Sequence, residues 1–142
     1  MQLICFGLNH KTAPVAVREQ FAIPKSAVRQ GLANLGDYDG VNEAVVLSTC
    51  NRSEIYAVVE SAADDLASLK QFFFDLAGNE EDIDAYLYTY LDEDCVRHLF
   101  RVAASLDSLV LGEGQILSQV KEAYALAREA SATSTVLNTL MH

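Results

Sequence analysis

The stretch Ser48-Thr49-Cys50-Asn51-Arg52-Ser53-Glu54 places a thiol, a guanidinium and a carboxylate within five residues. The apolar run Ala44–Leu47 before it carries Cys50 to the point where a strand leaves the core. In extended chain, residues two apart share a face, so the spacing allows Cys50, Arg52 and Glu54 to point the same way. An adjacent guanidinium favours thiolate over thiol, and thiolate is the nucleophile. Alternatively, Arg52 forks onto a substrate carboxylate with two parallel hydrogen bonds. The plainer reading is a small apolar cysteine closing a strand, with Arg52 and Glu54 as a surface ion pair. Spacing alone leaves all three open.

Two further groups carry weaker signals. Cys95 and His98 stand three apart in a helical pattern, but a zinc site needs two more ligands than this pair supplies. Cys95 reads as the edge of a buried face, and Cys5, inside an apolar run, as core. His98 falls on the polar side with Asp94 and Arg101, either as a surface or orienting histidine or as a general acid or base. The segment Ser108-Leu109-Val110-Leu111-Gly112-Glu113-Gly114-Gln115 holds only a fragment of a dinucleotide fingerprint, with no third glycine. Its junction with the following helix offers unpaired N–H groups to a carboxylate. Gln115 and Gln119, four apart, share a helical face and present two amides to a polar ligand or simply to solvent.

The elements that must position these residues alternate in kind. Leu3–Leu8 reads as a buried strand, and Val15–Phe21 as a short helix. Pro24-Lys25-Ser26 opens a second helix that Gly36 stops. Ala44–Leu47 and Ile55–Val59 read as paired strands with Ser48–Glu54 at the sheet's end. Leu66, Leu69, Phe73 and Leu76 repeat at helical spacing up to Gly78. A helix from Asp92 has three acidic residues in its first turn, where the helix dipole favours them. It turns Val96, Leu99, Phe100 and Ala103 to a core. Ile116, Leu117, Val120, Ala123, Tyr124 and Ala127 mark the strongest helix, and Val136–His142 is again amphipathic. The pattern is α+β, an antiparallel sheet with helices packed on it, ending in a long amphipathic helix.

Composition narrows the class. The 142 residues are 51% hydrophobic and 21% charged, the balance of one globular domain rather than a disordered chain. No apolar run approaches a membrane span or a secretory leader. Three dispersed cysteines exclude a disulfide framework and fit the cytosol. The net charge of −10 opposes nucleic acid overall, but residues 1–36 carry Lys11, Arg18, Lys25 and Arg29 against Glu19 alone, a local +3. A polyanion can therefore approach that end.

Four blocks recur in the order of a known family. They are Gly7-Leu8-Asn9-His10-Lys11-Thr12-Ala13-Pro14-Val15, Leu47–Tyr56, His98-Leu99-Phe100-Arg101-Val102-Ala103, and Leu106–Glu113 leading into Gln115–Lys121. Together the chain resembles the N-terminal catalytic domain of glutamyl-tRNA reductase, across nearly its whole length.

The resemblance implies an antiparallel sheet related to ferredoxin-like βαβ arrangements and a cysteine, here Cys50, that attacks the ester joining glutamate to its tRNA. The resulting thioester is reduced by NADPH to glutamate-1-semialdehyde, for tetrapyrrole synthesis. A thiol suits this because it splits one hard step into two easier ones. The family's substrate contacts map onto Thr49, Asn51, Arg52, Ser108, Glu113, Gly114, Gln115 and Gln119, with Arg52 on the glutamyl carboxylate. His98 takes the place of an activity-linked histidine that would deprotonate the thiol or protonate the ribose oxygen.

The family's nucleotide-binding and dimerisation domains are expected after residue 142. No NADPH is then expected on residues 1–142, which would form the thioester or hydrolyse the ester. Family members form homodimers, and glutamate-1-semialdehyde aminomutase is an implied partner. The basic start from Lys11 to Arg29 is the expected tRNA contact. Rival readings are another cysteine hydrolase or acyltransferase using Cys50 and His98, and a binding module with a structural cysteine.

Overall fold

The computed structural model describes residues 1–104 and 115–141. Strand β1 (Gln2–Asn9) is followed by helices α1 (Val15–Gln20) and α2 (Lys25–Ala33). Strands β2 (Val41–Thr49) and β3 (Arg52–Val59) come next, then helix α3 (Ala62–Ala77), strand β4 (Tyr88–Leu91) and helix α4 (Asp92–Ala103). Helices α5 (Gln115–Glu129) and α6 (Thr135–Met141) complete the order. The four strands form one antiparallel sheet in the order β2-β3-β1-β4, so each of the two helical crossovers skips a strand. The α+β reading and the pairing of the two central runs are both present.

Opposite residues across an antiparallel pair share a face, and the register sorts the core accordingly. Phe6 lies opposite Ile55 and meets Phe73 of α3 edge-on, with Phe21 stacked on Phe73. Cys5 lies opposite Tyr56 on the other face, which α4 covers through His98. With helices on both sides, β3 is buried at every position. Polar side chains on β3 must therefore find partners inside the protein.

Helix α3 begins and ends where its sequence directs. Asp64 and Asp65 occupy its first turn, and Asp65 accepts the Ser61 N–H at 2.8 Å. Gly78 takes the left-handed conformation at φ +67° and returns its N–H to Phe74 O at 2.9 Å.

Three expectations are corrected. The chain does not close in one long helix: Ser131 adopts φ +57°, and Ala132 N–H donates to Ala127 O at 2.9 Å, a Schellman-type stop after α5. Ala132 O then takes the Ala44 N–H at 2.8 Å, and the Glu43 carboxylate accepts the Ser134 and Leu137 N–H groups at 2.7 and 3.0 Å. The edge of β2 thus terminates one helix and caps the next. Second, α4 buries Cys95, His98, Leu99 and Val102, and leaves Phe100 60% exposed rather than in the core. Third, β4 has no counterpart among the elements expected from sequence. It is a four-residue edge strand, too short for alternation to distinguish from a loop.

Candidate active site

Cys50 and Asn51 are the two turn residues between β2 and β3, with Thr49 opposite Arg52 in the register. The turn is fixed from three sides. Asn51 N–H donates to Thr49 Oγ1 at 3.1 Å, Asn51 O accepts from His10 N–H at 2.9 Å, and Cys50 O accepts from Arg18 Nη1 at 3.5 Å. Behind it, the Ser48 and Ser53 hydroxyls lie 2.9 Å apart. Ser53 Oγ donates to Phe21 O at 2.9 Å, and Ser48 Oγ accepts Ile23 N–H at 3.0 Å, tying the α1–α2 connection to the hairpin end.

The thiol on this frame is exposed, whereas Cys5 and Cys95 are buried. It opens on a cavity of about 340 Å³ lined by Val15, Arg18, Glu19, Ala22, Thr49, Cys50 and Asn51. Burial pushes the Cys95 thiol up to about 12 and the Cys5 thiol well above its ordinary value, with the Glu54 charge adding to both. These two remain protonated and weakly nucleophilic at neutral pH.

Beneath the turn, Arg52, Glu54 and Tyr56 alternate onto one face of β3. Arg52 is 1% exposed, so its pairing with Glu54 is a buried one rather than a surface one. Glu54 Oε1 accepts from Tyr56 OH at 3.0 Å and from Arg52 Nη1 at 3.5 Å. Its Oε2 is met by Tyr88 OH, His98 Nε2 and, at 3.6 Å, Cys5 Sγ. Burial alone would raise this carboxyl, but the hydrogen bond from His98 and the charge of Arg52, helped by Tyr88, hold it below the usual carboxylate range. An ionised carboxylate can only accept, so the proton on the shared edge belongs to His98 Nε2.

Gly7 lies opposite Glu54, where an added Cβ would stand 2.2 Å from Ser53 O and 2.8 Å from Glu54 Cα. The close approach of β1 that brings Cys5 to the carboxylate requires glycine there.

His98 is not on the polar side of its helix. It is 4% exposed and stacks on Tyr90 with ring centroids 4.5 Å apart. One edge reaches a second cavity, about 410 Å³, lined by Asn9, Lys11, Thr12, Tyr90, Asp94, Arg97, His98 and Arg101. Cys50 and His98 therefore line different cavities. Gln119 lines a third, beside Lys25, Ser48 and Glu122. Thr49 and Asn51 share the cavity of Cys50. Ser108, Glu113 and Gly114 lie outside the described residues, as does the Gln115 side chain.

Cys5, Glu54 and His98 bring three potential ligand atoms within 4.8 Å of one another. Arg52 and two tyrosine hydroxyls occupy the same carboxylate, and the Cys5 thiol stays protonated, so the cluster reads as a hydrogen-bond network rather than a metal centre. No described helix is long and apolar enough to cross a membrane.

Glu54 as the hub, with Tyr88 and Tyr90, is what sequence reading missed. The available signal was the period-two spacing Arg52-x-Glu54-x-Tyr56 inside a strand buried on both faces.

Comparison with known proteins bears directly on this geometry. Residues 6–142 match the family described as "Glutamyl-tRNAGlu reductase, N-terminal domain". A glutamyl-tRNA reductase of Prochlorococcus marinus is 46% identical over 142 residues, covering 99% of this chain and 33% of that protein. A "Glutamyl-tRNA reductase 2" of Koribacter versatilis is 50% identical over 143 residues, covering 99% of this chain and 32% of its own length. The solved structure of the Methanopyrus kandleri glutamyl-tRNA reductase superposes with a TM-score of 0.76 at 31% identity, over 98% of this chain and 31% of that one. The chain spans about a third of the length of these relatives. The exposed cysteine on its pinned hairpin, over a buried arginine–glutamate–histidine network, is thus that of a chain belonging to the glutamyl-tRNA reductase N-terminal domain family.

Proposed function

We propose that residues 1–142 are the catalytic domain of a glutamyl-tRNA reductase and transfer the glutamyl group of glutamyl-tRNA onto Cys50. One observation carries this reading: the exposed thiol sits on a turn fixed at both carbonyls, open to a cavity, while the other two thiols are sealed in the core.

Cys50 Sγ, as thiolate, attacks the carbonyl carbon of the aminoacyl ester. The carbon–oxygen bond to the ribose breaks, the ribose oxygen takes up the proton the thiol released, and a thioester remains. Water can then hydrolyse the thioester and return the thiol. Arg52 grips the glutamyl side-chain carboxylate. The Arg52 side chain has no exposed surface and does not line the Cys50 cavity, so this contact requires the neighbouring side chains to part; once made, it is a charge-assisted one shielded from water. Glu54 and His98 act on the substrate through Arg52: the carboxylate fixes the guanidinium, and the histidine, packed on Tyr90, fixes the carboxylate. The contacts of His98 with Glu54 and Tyr90 support this positioning role. Thr49 and Asn51, beside Cys50, contact the acyl group.

In the whole protein the thioester would next be reduced by NADPH, which needs a dinucleotide site of its own. Among the described residues no glycine-rich strand-to-helix turn forms such a cradle. The strand order and the two strand-skipping crossovers support a ferredoxin-like, split βαβ reading of the sheet.

The test is incubation of the chain with glutamyl-tRNA carrying labelled glutamate, followed by mass spectrometry of peptides. A hydroxylamine-labile glutamyl adduct on Cys50 supports the reading. Label on no cysteine, with Cys50 still alkylated by iodoacetamide, overturns it.

A further inference from the structure

Arg18 reaches the reactive turn from α1, and its surroundings differ from those of Arg52, the other arginine there. Arg52 is buried against Glu54 beneath the turn. Arg18, half-buried on α1, lines the Cys50 cavity together with Thr49 and Asn51. Among the described residues no carboxylate lies within ion-pair distance of its guanidinium. Its Nε has no hydrogen-bond partner, and its one bond, from Nη1 to Cys50 O at 3.5 Å, is long for a charged donor. A guanidinium this poorly satisfied, at the mouth of a cavity, suits an anion that arrives with the substrate.

The chain's charge limits which anion and which route. Residues outside 1–36 sum to −13, a surface that repels a polyanion, while the first 36 sum to +3. Within that basic start Lys25 is already paired with Glu122. Arg18 is the one cation of α1, the helix that borders the Cys50 cavity.

We propose that Arg18 binds a backbone phosphate of the tRNA acceptor end, anchoring the nucleotide side of the ester while Arg52 holds the amino-acid side. This rests on the acyl-transfer reading above and adds the residue that separates a tRNA ester from a simple one. The phosphate accepts two parallel N–H bonds from the guanidinium fork, and the acyl carbon is then presented to Sγ from the α1 side.

The experiment measures single-turnover thioester formation on Cys50 by the wild-type chain, Arg18→Ala and Arg18→Lys, with two substrates. One is glutamyl-tRNA. The other is the glutamyl ester of adenosine, which has the same ester and no phosphodiester. Arg18→Ala is expected to raise the glutamyl-tRNA concentration for half-maximal rate by about tenfold or more, the scale of one charged hydrogen-bonded contact. It should also lower the salt slope of log affinity by roughly 0.7, one phosphate's share on a single strand. Arg18→Lys should keep most of the salt slope and lose part of the affinity. With glutamyl-adenosine the loss in both variants should be several-fold smaller than with glutamyl-tRNA, what remains measuring the Arg18 bond to Cys50 O, and iodoacetamide alkylation of Cys50 gives that same structural part without any substrate.

Equal losses on both substrates would overturn the proposal and make Arg18 a support of the turn. No loss on either would overturn it outright. A shift in the pH profile of Cys50 alkylation would instead assign Arg18 to the thiolate. If the wild-type chain acylates Cys50 with neither substrate, the acyl-transfer reading fails first, a result distinct from all of these.

Discussion

The hairpin tip and the layer directly beneath it are adjacent in sequence and opposite in design. At the tip, Cys50 is exposed, and hydrogen bonds hold the backbone around it rather than its side chain. Two and four residues later, Arg52 and Glu54 are buried, and it is their side chains that are bonded, to each other and through Glu54 to Tyr56, Tyr88, His98 and Cys5. A nucleophile needs access and a fixed approach angle, so its frame is rigid and its sulfur open. A group that recognises a carboxylate gains from desolvation, so it is enclosed and its geometry fixed by neighbours.

The contrast is broken most completely at the sulfur. Cys50→Ser should abolish the glutamyl adduct altogether and leave the thermal midpoint within about a degree or two, because an exposed side chain contributes little to stability. The readouts are mass spectrometry and calorimetry on the same sample.

Glu54→Ala should do the reverse at the level of the fold. It leaves a buried guanidinium without its carboxylate, at a cost of about 3–5 kcal/mol in denaturant unfolding, and should lower Cys50 alkylation far less than Cys50→Ser lowers acylation. Gly7→Ala acts on the same contact through the backbone, and should destabilise by about 1–3 kcal/mol as β1 is forced from Ser53 and Glu54.

Acid should sharpen the distinction. Glu54 has a folded-state value below its unfolded one. Its stabilising contribution is complete above the unfolded value and lost as pH falls through the folded one. Stability of the wild-type chain should therefore decline on the acid side of the ordinary carboxylate range, and Glu54→Gln should flatten that limb. Unfolding free energy measured from about pH 6 down to about pH 3 checks it. The smallest effect concerns thiols in the folded state: iodoacetamide should modify Cys50 alone, and Cys5 and Cys95 only after denaturant is added, because burial keeps both protonated.

How much of this was legible in the sequence differs between the two regions. The tip was legible: Ala44–Leu47 and Ile55–Val59 announce two strands, and the polar segment between them must hold the turn and its cysteine. The layer beneath was half legible. Period-two spacing put Arg52 and Glu54 on one face, but nothing local says that a strand carrying both charges is covered on each side. That burial comes from α4, whose register sequence reading rotated: Phe100 looked like core and His98 like surface, since an aromatic and a histidine carry those expectations by type alone. Tyr88 and Tyr90 reach Glu54 and His98 from an edge strand of only four residues. The stop after α5 was hidden for a related reason. A serine at φ +57° is unfavourable by itself and is held by β2 from nearly ninety positions away in the chain.

The most direct measurement is a crystal structure of the chain with a non-hydrolysable glutamyl-adenosine analogue carrying a 5′-phosphate. The account predicts the acyl carbon against Cys50 Sγ, the glutamyl carboxylate on Arg52, and the phosphate on Arg18. A carboxylate seated on Arg18, or an acyl group bound in the cavity of Lys11, Arg97 and His98 away from Cys50, would contradict it.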